Sequence, residues 1–166
     1  MSRPIAAFAL AMLSVVFVSA AASQTPATSS AQEIDRDTWS MFVATVAADD
    51  IVGMGRVYFP EAVLVTPKGT HPIKATLERW GRDMAANGAK GTRATVAFRF
   101  SHRQDDSTTA FESGIFNYTV IAKSGERTPK FYPFEELLVK TDGKWRVLME
   151  RQFDPVTQAE WEKLPK

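Results

Sequence analysis

The chain has 166 residues, of which 45% are hydrophobic and 23% are charged, and its formal net charge is +1. This length suffices for one domain with a buried core and is too short for two ordinary domains. The absence of cysteine excludes a disulfide scaffold, a cysteine-based metal centre and a thiol nucleophile. The near balance of basic and acidic residues indicates no nucleic-acid ligand.

The first 22 residues have the pattern of a secretory signal peptide. Arg3 supplies the positive charge, residues 5–18 form the apolar run, and small residues follow as a cleavage site. The alternative is a membrane anchor, but the run is shorter than the roughly 20 residues of a spanning helix. We therefore expect a secreted or periplasmic protein with no membrane span after cleavage. A small, polar linker at 23–32 is predicted to be disordered, and the domain covers 33–166.

The first part of the domain is predicted to be mostly helical. Apolar residues at helical spacing, with Asp35 near the start, predict a helix over 33–50. A shorter helix is expected over 51–58 and a short strand over 62–66. A third helix over 74–86 ends at an Asn-Gly pair.

The second part of the domain reads as an antiparallel meander with a final helical turn at 158–164. Two-residue turns are expected at Asp105-Asp106, Ser124-Gly125 and Asp142-Gly143. They separate four strand-like runs at 92–104, 107–123, 128–141 and 144–153. Helices followed by strands indicate an α+β fold with helices on one face of the sheet.

Three patches carry a resemblance to a known superfamily. They are Ala47 to Asp50 running into Tyr58 to Pro67, the helix from Lys74 to Trp80, and the hairpin from Asp142 to Val147. This order resembles the nuclear-transport-factor-2-like superfamily, which includes the SnoaL-like cyclases and ketosteroid isomerase. The resemblance covers 34–154. It implies a conical α+β fold of three N-terminal helices packed on a curved, mainly antiparallel sheet, with a pocket between them.

The predicted turns assign residues to the two faces of the sheet. They place Glu135 opposite Glu150 and Arg99 opposite Glu112. Opposed carboxylates repel, and burial would raise one pKa towards the range of a general acid or base. The alternative is a structural charge network of the same four residues. The other members of this face are Gly114, Phe116, Tyr118, Pro133, Leu137, Leu148 and Gln152.

The resemblance to ketosteroid isomerase adds expectations for three positions. Thr66 falls where that family has its catalytic aspartate, and Phe42 falls where it has its oxyanion tyrosine. Glu135 matches the family's protonated aspartate, a neutral acid that donates a hydrogen bond. Because two of three polar positions are lost, steroid isomerisation by the family mechanism is not expected, and Glu135 or Glu150 would have to act as base.

The two histidines do not indicate a metal site. His71 lies in a predicted surface loop, and His102 is placed with Phe98 and Phe100 on the other face of the sheet. Their spacing matches no ligand motif, so we expect neither a metal nor another cofactor.

The combined hypothesis is an exported domain that binds a small apolar or aromatic molecule. It includes cofactor-independent chemistry of the isomerase, lyase or dehydratase kind, with Glu135 and Glu150 as the acid–base pair and Arg99 tuning them. The alternative is a non-catalytic binding or assembly module of the same fold. The expected ligand-binding residues are Phe42, Tyr58, Thr66, Trp80, Phe116, Tyr118, Leu137 and Gln152.

The opposite sheet face is predicted to be apolar and to lack a covering helix. Such a face indicates an interface, so we expect a homodimer through the sheet. The apolar residues assigned to this face are Tyr132, Phe134, Leu138, Trp145, Val147, Met149 and Phe153, and Glu136 is placed among them.

Overall fold

The computed structural model describes residues 29–166. The predicted signal peptide at 1–22 and linker residues 23–28 lie outside the described residues. Helical structure begins at Ser30, three residues before the predicted start of the domain. Ser29 and Gln32 form a capping box, in which each side chain accepts a hydrogen bond from the other's backbone N–H. Within the described range, no helix is long and apolar enough to cross a membrane.

The N-terminal half supplies the helical layer, as the sequence predicts. The first three helical segments are continuous, with a π-helical segment between two α-helical ones. The segments are α1 (Ser30–Ile34), the π-helical segment (Asp35–Trp39), α2 (Ser40–Ala47), α3 (Ile51–Gly55), α4 (Ile73–Gly88) and the C-terminal α5 (Gln158–Glu162).

Six strands form one curved sheet in the order β2-β1-β6-β5-β4-β3. Neighbours are antiparallel except β1 and β6, which are parallel. The predicted α+β class is therefore confirmed, with one added strand, β2, where a loop was expected. The strands are β1 (Tyr58–Thr66), β2 (Gly69–Pro72), β3 (Arg93–Asp105), β4 (Thr109–Ile121), β5 (Arg127–Thr141) and β6 (Lys144–Gln152).

One face of the sheet, here called the inner face, packs against the helices. Trp145, Phe134 and Leu138 are almost completely buried there, together with Ile34 of α1 and Val147 of β6. Burial of each such side chain contributes about 1.5–3 kcal/mol. Packing of these core side chains therefore stabilises the helical layer against β4, β5 and β6.

The loop between β4 and β5 has three residues rather than the predicted two. Gly125 is its third residue and has a φ of 89°. A two-residue loop of the favoured type needs positive φ at both positions, which Ser124 disfavours, whereas a three-residue loop needs it only at the glycine. The extra residue shifts the register by one, so Glu112 pairs with Glu136 and Gly114 pairs with Phe134.

The turn between β5 and β6 is at the predicted Asp142-Gly143, where both residues have positive φ. Beyond it, a bulge at Leu148 shifts the register. Glu150 consequently pairs with Glu136, and the predicted pairing with Glu135 is wrong.

Beyond the bulge the two shifts cancel in β6, whereas β5 lies with the opposite face inward from the one predicted. Glu150 and Gln152 lie on the inner face, as predicted. In β5, Glu136 lies on the inner face, whereas Glu135 and Leu137 lie on the outer one.

The β3–β4 hairpin also differs from the prediction. Asp106 pairs with Thr109 across the turn, and a bulge follows between Phe100 and His102. Arg103 therefore pairs with Glu112, and the predicted pairing with Arg99 is wrong. Arg99 lies on the outer face, whereas Phe98 and Phe100, expected there, belong to the core.

Helix α5 covers part of the outer face, which was expected to have no helix on it. Trp161 packs against Ile115 and Phe131. The Arg99 guanidinium lies 4.6 Å from the Trp161 ring centroid and donates to the carbonyl oxygens of Trp161 and Leu164. Arg99 thus anchors the C-terminal segment on the sheet.

The homodimer stays a prediction, but its interface must consist of other residues than those expected from the sequence. Phe134, Leu138, Trp145 and Val147 are buried in the core and cannot contact a second chain. The outer face instead carries a half-buried apolar row across four strands. The row consists of Val63, Met149, Leu137 and Phe111.

Replacing Leu137 by arginine should convert a dimer to a monomer, because it puts a charge at the centre of the apolar row. Light scattering at micromolar concentration measures the mass. Val43→Arg, on an exposed position of α2, is the control and should leave the mass unchanged. A monomeric wild-type protein would contradict the dimer.

Replacing Gly114 by alanine should lower the free energy of unfolding by about 3 kcal/mol. A Cβ at this position would lie 2.0 Å from the carbonyl oxygen of Arg99, so β3 would have to move away from β4. Chemical denaturation measures the loss. Ser113→Ala, next in the strand but on the outer face, is the control; equal effects of the two variants would show that the close approach does not matter.

Candidate functional site

A cavity of about 600 Å³ lies between the helices and the inner face of the sheet. Helices contribute Phe42, Met54, Trp80 and Met84, which line the space and do not fill it. The strands contribute further apolar and aromatic side chains, among them Val96, Phe98, Phe116, Tyr118 and Tyr132. The volume is typical of a pocket for a small organic molecule.

A row of three carboxyl groups crosses the inner face. Glu112, Glu136 and Glu150 are direct partners on β4, β5 and β6, and all three are buried. Like charges directly opposite each other destabilise a sheet. A proton or a cation must therefore neutralise part of the row.

Arg103 neutralises Glu112 at one end of the row. Its Nε atom donates to Oε1 of Glu112 at 2.8 Å, and its Nη2 atom donates to Oδ1 of Asp35 at 2.6 Å. The indole N–H of Trp39 donates to Oε2 of Glu112 at 2.6 Å. Burial raises the pKa of Glu112, and both donors oppose that rise. Glu112 does not line the cavity, so this end of the row is structural.

Glu150, at the other end of the row, lines the cavity and accepts two hydrogen bonds from neutral groups. The Tyr58 hydroxyl donates to Oε2 at 2.5 Å, and the Gln152 amide donates to Oε1 at 2.5 Å. Burial raises the pKa of Glu150, and the two donors act against it. Burial and the nearby Glu150 and Glu136 raise the pKa of Tyr58 well above its usual value, so Tyr58 remains a donor.

Glu136, in the middle of the row, lines the cavity with an unpartnered oxygen. Its side chain is buried, and its Oε2 atom has no hydrogen-bond partner among the described residues. Burial, then the charges of Glu150 and Glu112, raise the pKa of Glu136 well above its ordinary value. Glu136 is therefore the member of the row that holds a proton, and a neutral carboxylic acid is a hydrogen-bond donor.

The mouth of the cavity carries charges of both signs. Asp49 and Asp83 lie there together with Lys90 and Arg93. Burial, and then the two aspartates, raise the pKa of Tyr118. The mouth alone therefore does not select the charge of a ligand.

Most of the residues expected to bind a ligand lie at the cavity. Those that line it are Phe42, Tyr58, Trp80, Phe116, Tyr118 and Gln152, together with Glu150.

The other four predicted site residues lie elsewhere. Glu135 faces Arg151 on the outer face at 3.5 Å, and Leu137 shares that face. Arg99 anchors the C-terminal segment. Thr66 lies beside His71 in a separate, smaller groove. Sequence reasoning missed Glu136 because it read the β4–β5 loop one residue too short and did not include the bulge at Leu148.

Among residues 29–166, no group of three or more His, Asp or Glu side chains is arranged to hold a metal ion. His71 lies in the smaller groove, and His102 lies on the outer face near Phe111.

No protein-family model matches the sequence, and no curated protein matches it. Solved structures show similarity in fold. A nuclear-transport-factor-2-like protein of unknown function from Shewanella oneidensis has 12% identity and a TM-score of 0.60, covering 75% of this chain and 98% of that one. A protein of the same superfamily from Salmonella enterica has 15% identity and a TM-score of 0.60, covering 76% and 92%.

A ketosteroid isomerase-like protein from Erwinia carotovora atroseptica is similar as well. It has 17% identity and a TM-score of 0.54, and the match covers 75% of this chain and 95% of that one. At these identities the likeness concerns the fold. The chain therefore has the nuclear-transport-factor-2-like fold, which ketosteroid isomerase-like proteins share.

Proposed function

We propose that this domain binds a small apolar or aromatic molecule and carries out acid–base chemistry on it without a cofactor. One observation carries the proposal: Glu136 and Glu150 are buried as direct partners at the floor of an open cavity with aromatic walls. Buried carboxyl groups with raised pKa values that line a cavity are characteristic of acid–base sites.

The two carboxyl groups have different surroundings, and this difference assigns their roles. Glu150 receives hydrogen bonds from Tyr58 and Gln152, which favour its charged form, so it is the proton acceptor. Glu136 lacks such donors and holds a proton, so it is the proton donor. Proton removal at one atom and delivery at another is the chemistry of an isomerase, a lyase or a dehydratase.

The proposed acid–base pair contains Glu136 in place of Glu135 and does not include Arg99. Glu135 and Arg99 both lie on the outer face of the sheet. Phe42 lines the cavity but offers no hydrogen-bond donor, and Thr66 lies outside it. Steroid isomerisation in the manner of ketosteroid isomerase is therefore not the proposed reaction. We further propose that the domain is exported, which rests on the sequence of residues 1–22 alone.

A thermal-shift screen with aromatic and steroid-like compounds tests the proposal. A ligand should raise the melting temperature of the wild type and of Glu135→Gln by the same amount. In Glu136→Gln the same ligand should change the melting temperature by a different amount. The substitution changes the hydrogen-bonding group at the cavity floor and keeps the size of the side chain. Equal shifts in all three proteins would place the ligand elsewhere, and the absence of any hit would remove the main support for a ligand-binding cavity.

The alternative is a non-catalytic binding module of the same fold. The open cavity favours ligand binding over a purely structural role, since Trp80 and Met84 leave it unfilled. Mass spectrometry of an incubated ligand separates the two functions. An unchanged ligand would favour the binding module, whereas conversion by the wild type and not by Glu150→Gln would favour the enzyme.

A further inference from the structure

We propose that the preferred ligand is an organic cation, an aromatic or apolar molecule whose protonated amine lies against Glu136 at the floor of the cavity. This inference rests on the proposed ligand-binding function and goes beyond it by naming the charge and the recognising group.

The row of carboxyl groups has fewer positive than negative groups beside it. In the part of the chain that the structure describes, Arg103 is the cationic side chain that pairs with the row, and it also binds Asp35. Among residues 29–166, Glu150 receives hydrogen bonds from neutral donors only, and Oε2 of Glu136 has no donor. Two buried carboxyl groups therefore face the cavity without a positive charge beside them. An ammonium group supplies both the missing charge and the missing donors.

The walls of the cavity are rich in aromatic rings, which also favour a cation. Tyr58, Trp80, Phe116 and Tyr132 line the cavity, and the Tyr58 hydroxyl is bound to Glu150. Aromatic faces attract cations, and the attraction is larger where water is excluded. A cation at the floor is thus stabilised by carboxyl groups and by rings together.

The floor of the cavity disfavours an anionic ligand. A carboxylate or phosphate at the floor would lie beside Glu136 and Glu150, and the repulsion would be strong in buried surroundings. Lys90 and Arg93 could attract an anion, but they lie at the mouth, with Asp49 and Asp83 beside them.

Binding of a cation should release a proton. The groups that face Glu136 are Glu112 from β4, Glu150 from β6 and Tyr58 from β1, with Arg103 beyond Glu112. They keep Glu136 protonated in the free protein, because burial and two acidic neighbours oppose its charge. An ammonium group reverses this preference, so the carboxyl proton leaves as the cation enters.

Titration calorimetry with naphthylmethylamine and naphthylmethanol tests the inference, since the probes share a ring system and differ in charge. The full-length mature protein should bind the amine about tenfold or more tightly than the alcohol. Between about pH 6 and pH 8 the affinity for the amine should increase, by at most about tenfold per unit, whereas that for the alcohol should stay nearly constant. Heats measured in buffers of different ionisation enthalpy should show up to one proton released per amine bound.

Glu136→Gln should abolish the preference and the proton release, whereas Glu135→Gln should keep both. The comparison of the two probes on the wild type needs no variant. It therefore tests the preference for a cation even if Glu136→Gln fails to fold. Equal or tighter binding of the alcohol would overturn the inference and leave the proposed function standing. If neither probe binds, the inference is overturned, and the thermal-shift screen then decides whether the proposed function is lost as well.

Discussion

Replacing Arg103 by methionine should lower the free energy of unfolding by about 3 kcal/mol. Methionine keeps much of the packing of the arginine side chain, which lies with its guanidinium 4.4 Å from the Phe100 ring centroid. It removes the cation that pairs with Glu112, whose side chain is fully buried. Glu112 must then either stay charged without a partner or take up a proton. Chemical denaturation at neutral pH measures the loss.

A second substitution separates the charge from the packing. Glu112→Gln in the Arg103→Met background removes the buried charge and keeps an acceptor for the indole N–H of Trp39. The double variant should therefore recover much of the lost stability, because its effects are coupled through one ion pair. Additive losses in the double variant would show that Arg103 acts through packing alone. Arg151→Met is a control, since Arg151 contacts Glu135 only on the solvent-accessible outer face.

The elements of this fold follow from local patterns in the sequence. The helix and strand predictions coincide with the structure to within a few residues, apart from the earlier start of β1 and the missed β2. The hairpin at Asp142-Gly143 was predictable because both residues tolerate positive φ, which its turn requires. Such features depend on neighbours along the chain, which the sequence shows directly.

The faces of the sheet were harder to predict, because one residue of register reverses them. The loop ending at Gly125 carried a usable signal, since serine disfavours the positive φ that a two-residue loop would impose on it. The bulges at Leu148 and beside His102 carried none. A bulge depends on how a strand curves over the core, so the pairing of Glu136 with Glu150 and the position of Arg99 on the outer face required the structure.

Replacing Glu136 by glutamine should stabilise the protein, and the gain should increase with pH. Folding raises the pKa of Glu136 well above the 4.5 of an unperturbed glutamic acid. The stability that comes from holding this proton is present below about pH 4.5 and is lost as the pH rises towards the pKa of the folded protein. Glutamine has about the same size and is neutral at every pH, so the variant does not lose this stability as the pH rises. The free energy of unfolding of the variant should therefore exceed that of the wild type by more at pH 8 than at pH 5.

The free energies of unfolding of the wild type and of Glu136→Gln are measured by denaturation at each pH. Their difference reports on Glu136 and not on the other titrating groups. Groups whose pKa is lowered, such as Asp37 and Asp106, lose stability towards acid pH instead, and they contribute equally to both proteins. Burial also raises the pKa of Glu150 and of Glu112, but both proteins contain these two groups. Glu135→Gln, one residue away on the outer face, should follow the wild-type curve. A pH-independent difference for Glu136→Gln would show that Glu136 is ionised in the folded protein, and the assignment of proton donor would then fail.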